Sequence, residues 1–459
     1  MSLRSGLNLS PLLVYCVDFS QNEIARAEAT YICNTDNQYI VPTSGGPLRG
    51  LIQDHVASGV KLTCKDTFLT LEEFQQLLYI SVTGLPGTEI VNNFEEITIP
   101  PPTIHKPVRL WTGKQVITAL LRLLCRPPLP QLHLDAKSRT PPTAFGASEQ
   151  EHIVIFRFGE LLCGVLDKNA IGNSALGIVH AIYELYGSEL AGLILSAFSR
   201  LFTYHLQNAG HTCGIEDLTL TEASDEVRAK LLTKVQTDSE IGLQKFLDSA
   251  SGLAPTPLSG SNGFTPSERL RCENRIAHLI QSEKTEGKVK LDGAIQAVVN
   301  KSASDILKAC LPSGLEVQFP KNNFSMMVLT GAKGSAVNQS QISCFLGQQA
   351  LEGQRVPMMI SGKTLPSFKP YDSRIRAGGF ITDRFLTGVR PQEYYFHCMA
   401  GREGLVDTAA KTSRSGYLQR CLVKHLEELR VNYDLTVRDS SGAVVQFLYG
   451  EDGLDPMSA

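Results

Sequence analysis

The sequence predicts a helix-rich, mixed α/β (α+β) chain of several domains. Three observations carry that reading. At 459 residues the chain holds two to four domains and ample core. Three long stretches, Thr221 to Ala250, Pro266 to Leu311 and Pro391 to about Leu429, run with helical patterning and almost no internal proline. Strand-like patterning is confined to short runs, chiefly Glu151 to Asp167, around IVIFRFGELLCGVLDK.

In chain order, Asn22 to Thr30 reads as a short helix, followed by a turn-rich segment with brief apolar runs. Thr70 to Val82 is a helix. Pro100 to Pro107 is a proline-rich loop before LWTGKQVITALLRLLC, helical from about Thr112. Gly113-Lys114 does not satisfy the phosphate-loop pattern, which needs a second glycine five residues earlier and a hydroxyl after the lysine. Arg126 to Gln150 is a Pro/Ser-rich connection, and the strand pattern after it forms a hairpin. Ser174 to Gln207 is an apolar helical stretch broken near Gly187-Ser188. The two charged helices 221–250 and 266–311 flank SASGLAPTPLSGSNGFTPSE, a linker flexible by composition, and read as an antiparallel hairpin.

Composition narrows the function. A hydrophobic fraction of 42% and the absence of a long apolar run speak against a membrane protein, and Leu12 to Val17 is too short for a signal peptide. With a net charge of -3 any nucleic-acid contact must be local, and Lys369 to Arg430 does carry eleven Lys/Arg against seven Asp/Glu. Eleven cysteines with no CxxC pair argue against a zinc site and for a reducing compartment. His205, His211 and Cys213 have loose metal-like spacing without a fourth ligand, so polar groups around a helix end are the better reading.

The last long helix is the chemical candidate. Pro391 suits a first helical position, and Arg390 is a poor cap. A helix of about 60 Å results at 1.5 Å per residue. Gly401, Gly404 and Gly416 lie inside it, each at a cost of about 1 kcal/mol against alanine. At 100° per residue Arg402, Ser413, Gly416, Tyr417, Arg420 and Lys424 share one side, with Thr412 at its edge. Leu418, Leu422, Leu426 and Leu429 form an apolar back. A base pair fits against the small residues, Tyr417 offers a flat surface, and Arg420 and Lys424 can hold phosphates. The plainer alternative is a solvated basic face.

GREGLVDTAAKT with GYLQR closely resembles the bridge helix of multisubunit RNA polymerases. KTSRSGYLQR and VRDSSGAVVQFLYGEDGLD resemble the largest subunit of eukaryotic DNA-directed RNA polymerase I, whose polymerase II and III relatives generally carry an acidic residue where Arg414 stands. KNNFSMMVLTGAKGSAVNQSQISCFLGQQALEGQRVP is a second such match, GNSALGIVHAIYELYG resembles the family's pore module, and WTGKQVI matches too. The resemblance implies four consecutive parts: the end of the active-site region (19–60), a pore domain (61–220), funnel helices and a secondary-channel segment (221–350), and a cleft segment with the bridge helix (351–459). It implies that Lys333 faces the incoming triphosphate, and that Thr412, Ser413, Gly416, Tyr417, Arg420 and Lys424 face DNA. Gln348, Gln349 and Arg355 are expected to make structural hydrogen bonds at the helix base.

The implied activity is template-directed RNA synthesis in the nucleus, at the nucleolus. The implied partners are DNA template, nascent RNA, nucleoside triphosphates, and the second-largest and other polymerase subunits. Magnesium is the implied cofactor, but the family's three ligating aspartates fall upstream, where Met1 to Asp18 offers only Asp18. The expectation is therefore an internal fragment or incomplete gene product, without its own catalytic residues. The other class is a non-enzymatic protein that docks on polymerase or binds DNA. Two-metal nucleotidyl transfer needs clustered carboxylates. Alone with magnesium, template and nucleotides, the chain is expected to form no phosphodiester bonds, and template-dependent product above a no-enzyme control would overturn this.

Overall fold

The computed structural model describes residues 20–85, 99–125, 132–251 and 264–455. The expectations on Leu12–Val17, on the absent aspartates and on most of the flexible linker lie outside the described residues. The chain forms two units, each taking in two or more stretches of sequence. The first comprises the described residues of Met1–Cys213, Phe319–Gly334 and Phe447–Ala459, and the second Gly214–Gln318 and Ser335–Gln446.

The first unit begins with α1 (Glu23–Tyr31), capped by the Asn22 side chain, and α2 (Asp54–Thr63). β1 (Phe68–Leu69) leads to α3 (Leu71–Val82). Thr70 caps α3, with Glu73 accepting from the Thr70 backbone N–H at 2.8 Å, so two otherwise orphaned donors are satisfied. β2 (Trp111–Thr112) pairs with β1 and opens α4 (Gly113–Leu124), where Gln115 reaches back to the Thr112 N–H at 3.0 Å. β3 (Leu134–Lys137), β4 (Ile153–Arg157) and β5 (Glu160–Cys163) make one antiparallel sheet. The hairpin was legible, whereas β3 lies within what reads as a Pro/Ser-rich connection. Four residues beside prolines give no periodicity of their own, and pairing with β4 supplies it.

α5 (Lys168–Ile171), α6 (Ile178–Tyr186) and α7 (Ser188–Ala209) complete this part. Gly187 separates the last two at φ 85°, a conformation that a β-carbon disfavours, which is why the apolar run breaks there. Phe198 and Phe202 of α7 stack at 5.6 Å in a core shared with Phe74, Ile117 and Leu120. His205 is buried in the same helix with its Nδ1 3.1 Å from Ser58 Oγ. Burial, aided by the Lys61 charge, lowers its pKa to about 4. Neutral His205 is thus a packed hydrogen-bonding group.

The second unit is built on α8 (Glu222–Ser251) and α9 (Pro266–Cys310). Thr265 and Glu268 form the capping box of α9. These helices do not make the simple antiparallel hairpin that the sequence suggests. Arg269 reaches Glu240 at 2.9 Å and Arg275 reaches Asp248 at 2.8 Å, so these pairs advance in the same direction along both helices. Yet a β-carbon on Gly242 would stand 2.7 Å from Val298, and Leu220 bridges Leu315 in antiparallel fashion. A straight helix would hold Arg269 and Val298 about 43 Å apart at 1.5 Å per residue. Both lie beside the same two turns of α8, so α9 reverses between Arg275 and Val298 and packs as two arms. Glu240, nearly fully buried, is the pin, because it also accepts the Phe264 N–H at 2.7 Å.

The chain returns to the first unit for α10 (Asn323–Leu329), then to the second for α11 (Ala336–Ser343). β6 (Gly347–Gln348) pairs with β9 (Phe380–Ile381), and β7 (Ala350–Leu351) with β8 (Gln354–Arg355). α12 (Pro391–Leu426) follows as one continuous helix, three residues shorter than its sequence pattern. The chain turns through Leu429, whose N–H donates to Leu426 O, into β10 (Arg430–Val431), β11 (Val437–Arg438) and β12 (Val444–Gln446), a three-stranded antiparallel sheet.

α4 packs on α2 so closely that a β-carbon at Gly113 would sit 1.9 Å from Leu62 O. Gly113→Ala is expected to destabilise the first unit by about 1–3 kcal/mol, the range for overpacking a core. Denaturant unfolding followed by Trp111 fluorescence, the single tryptophan, reads this directly.

Candidate nucleic-acid interface

α12 is held at one end. Glu393 and Phe396 are its buried residues. Phe396 stacks on Phe368 with ring centroids 5.9 Å apart, within a small core that includes Val356 and Ala377. Next to it, His397 Nδ1 lies 3.1 Å from Gln349 Oε1, and about two turns on Glu403 accepts the Glu352 N–H at 2.7 Å. Beyond Glu403 every residue to Leu426 is exposed except half-buried Ala410 and Cys421. About 35 Å of helix is therefore left uncovered by the other described residues.

The candidate face lies on this free part. Thr412 and Ser413 turn their hydroxyls back onto the Thr408 and Ala410 carbonyls, at 2.7 and 3.2 Å, which leaves a small, smooth surface. Nothing lies within 4 Å of a β-carbon built on Gly401, Gly404 or Gly416, so no described residue demands glycine there. Tyr417 is 73% exposed. Arg420 makes no ion pair among the described residues, while Lys424 pairs with Glu427 at 3.0 Å in solvent. Such an exposed pair contributes little and yields readily to a phosphate. Lys411 and Asp407 pair on the opposite side at 2.6 Å, so the candidate face is not neutralised from its flank. The apolar back is equally open: Leu418, Leu422, Val423 and Leu426 line a shallow groove in solvent.

Lys333 belongs to the first unit and is described there. It stands exposed in a turn whose glycines, Gly331 and Gly334, have φ near 80°. Asp167, buried, accepts from Ser138 Oγ and from the backbone N–H groups of Arg139, Thr140 and Asn169, which fixes the segment carrying Arg139. The Arg139 guanidinium then lies over Gly331, 2.7 Å from where a β-carbon would be. The turn is thus flanked by a second cation that sequence reasoning missed, because 192 residues separate Arg139 from Gly331.

The helix base shows the hydrogen bonding expected of Gln348, Gln349 and Arg355. Gln348 donates to Gly378 O at 2.8 Å, and Gln349 meets His397. Arg355 is buried, reaching Ile375 O at 3.5 Å and Asp292 of α9 at 3.7 Å. Burial raises the Asp292 pKa against the Arg355 charge, and burial lowers that of Arg355 against Asp292.

Sequence models of one polymerase family match most of the chain. "RNA polymerase Rpb1, domain 3" matches residues 38–218, "domain 4" residues 270–381 and "domain 5" residues 388–457. The chain is 50% identical over 441 residues to DNA-directed RNA polymerase I subunit rpa1 of Schizosaccharomyces pombe, across 95% of this chain and 25% of that protein. It is 47% identical over 438 residues to subunit RPA190 of Saccharomyces cerevisiae, across 95% and 25%, and 45% identical over 477 residues to DNA-directed RNA polymerase I subunit 1 of Arabidopsis thaliana, across 96% and 28%. The chain spans about a quarter of the length of these relatives.

The contrast between enclosed and exposed ion pairs is measurable. Arg355→Ala strands a buried carboxylate and is expected to cost about 3–5 kcal/mol, whereas the combined Arg355→Met and Asp292→Leu change recovers most of it. Lys411→Ala, which breaks a pair held in solvent, is expected to leave stability nearly unchanged. Urea unfolding followed by helical circular dichroism checks the ranking.

Proposed function

Because the chain belongs to the largest-subunit family of multisubunit DNA-directed RNA polymerases, we propose that it supplies part of the cleft of RNA polymerase I and acts in template-directed RNA synthesis. The observation that carries this reading is α12, tied down at its first three turns and open on the face that bears Ser413, Gly416, Tyr417 and Arg420. The small residues admit a template base, Tyr417 supports it, and Arg420 and Lys424 hold the backbone. Lys333, backed by Arg139, offers positive charge to a triphosphate. DNA template, nascent RNA, nucleoside triphosphates and the other subunits are the partners on this reading. The nucleus, and within it the nucleolus, is the place of action.

The family's chemistry draws on magnesium. Among the described residues no three His, Cys, Asp or Glu side chains converge as an ion would require. No step is therefore assigned to a metal here. What this chain's residues do is bind and orient the template and draw the nucleotide by charge. A polymerase-docking or DNA-binding protein without activity is the second reading, favoured by the same open face.

Two substitutions in a complete polymerase test the proposal. Gly416→Leu is expected to block translocation, although a β-carbon there has nothing within 4 Å among the described residues outside its own turn, and the change should slightly stabilise the isolated helix. Arg420→Ala should lower template affinity and flatten its salt dependence by about 0.9 in log–log slope, if one B-DNA phosphate contact is lost. Nucleotide-addition rate and template binding at several salt concentrations are the measurements. Parent-like behaviour of both variants would mean that this face does not touch nucleic acid, and altered binding with unaltered addition would favour the non-enzymatic reading.

A further inference from the structure

The first turn of α12 carries a charge cluster that the reading above does not use. Glu393 has no exposed side-chain surface. Its Oε1 accepts from Arg376 Nε at 2.7 Å and lies 2.9 Å from Arg390 Nη2, and its Oε2 accepts from Arg390 Nε at 3.3 Å. Arg390 is shared. Its Nε and Nη2 also reach the two oxygens of Asp383 at 2.9 and 3.2 Å, and its Nη2 reaches Thr382 Oγ1 at 3.2 Å. Two arginines and two carboxylates from three places in the chain thus meet at the point where α12 starts: the turn at Ile375–Gly378, the segment after β9 and the helix itself.

Arg390 precedes the helix without capping it. Its side chain instead staples the segment after β9 to the first turn. Arg376 does the same from the Ile375–Gly378 turn, whose Gly378 carbonyl holds Gln348. The ties of the first turn run through Arg376, Arg390 and Glu393, while Phe396 packs it against the small core.

We propose that Glu393 is a positioning residue: held by Arg376, Arg390 and Asp383, it fixes the direction of α12, and gain or loss of one proton in this cluster changes how firmly the first turns are held. This deepens the reading of α12 as a template-facing helix and rests on it for its bearing on RNA synthesis. The groups facing Glu393 are those three, and its titration follows from them. Burial, then the hydrogen bond and charge of Asp383, push its pKa up from 4.5 to about 7, against the opposing charges of Arg390 and Arg376. Burial also raises Asp383, but hydrogen bonds with Glu393 and Arg390 outweigh this and hold it below the usual carboxylate range, so Glu393 is the group that titrates near neutrality.

The sign is fixed by linkage. The held state binds the proton more tightly than a locally opened one, in which Glu393 returns toward 4.5. The mount is therefore firmer at pH 6 than at pH 8, by about tenfold in the closing equilibrium. Amide hydrogen exchange at residues 395–400 of the full chain reads that equilibrium, once intrinsic exchange rates are divided out. The parent should lose about tenfold in protection between pH 6 and pH 8, and Glu393→Gln should be flat. Asp383→Asn removes a group that raises the Glu393 pKa, so its change over the same interval should shrink.

A parent whose protection does not vary over this interval overturns the proposal, as does a Glu393→Gln chain that keeps the parent's pH dependence. If Glu393→Gln loses protection throughout its unit, Asp383→Asn decides: a reduced pH dependence supports the proposal and an unchanged one overturns it. The exchange is read without nucleic acid. Its failure therefore removes the mount, whereas failure of Gly416→Leu and Arg420→Ala removes only the template reading.

Discussion

A long helix in water needs something to hold it, and here that is the burial of Glu393 and Phe396. Helices in folded proteins owe little to propensity and much to packing of one face. α12 packs only its first three turns, and beyond Glu403 it relies on its own hydrogen bonds. The geometry of the candidate face is therefore set from one end. The unit behind it fits that demand: α9 meets Arg355 through Asp292, the Gly378 segment meets Gln348, and Gln349 meets His397. Each contact stiffens the base from which the helix extends.

Local rules made most of the helices legible. Thr70 with Glu73 and Thr265 with Glu268 announce helix starts within four residues, and Gly187 announces a stop. The reversal in α9 was not legible, because a charged segment of helix formers carries the same pattern whether straight or folded back. Only the meetings of Glu240 with Arg269 and of Gly242 with Val298 expose it. The candidate site divides in the same way. Ser413, Gly416, Tyr417, Arg420 and Lys424 share a face by periodicity alone, so the sequence displays them together. Arg139 is joined to Gly331 by the fold across a distance that no window covers, and Arg376 and Glu393, 17 residues apart, share no helix or strand that would pair them.

Net charge is a poor guide to such a protein. A chain at -3 holds Arg420, without an ion pair among the described residues, and a loosely paired Lys424 one turn apart on an exposed helix. Their effect on a phosphate depends on local field and not on the total. Apart from Glu427, which meets Lys424, the acidic residues nearest the helix start and its far side are used elsewhere. Glu393, Asp383 and Glu403 all bind groups at the helix base, and Asp407 pairs with Lys411 on the far side. The basic excess that reaches the candidate face results from where the acids are used.

The glycines of α12 carry the last step. Gly113 and Gly378 are explained inside the chain, since a β-carbon at either would collide with Leu62 or Arg355. Gly401, Gly404 and Gly416 are not: each faces open space, and each weakens a helix that has little packing to spare. The leucines opposite pose the complementary question, because Leu418, Leu422 and Leu426 are each more than half exposed. Small residues on one side and large apolar ones on the other cost the free helix stability or solubility. No described residue of the chain repays either cost. Both become intelligible if the two faces meet different surfaces, one that must come close to the backbone and one that takes up apolar area, which is what a helix spanning a cleft requires.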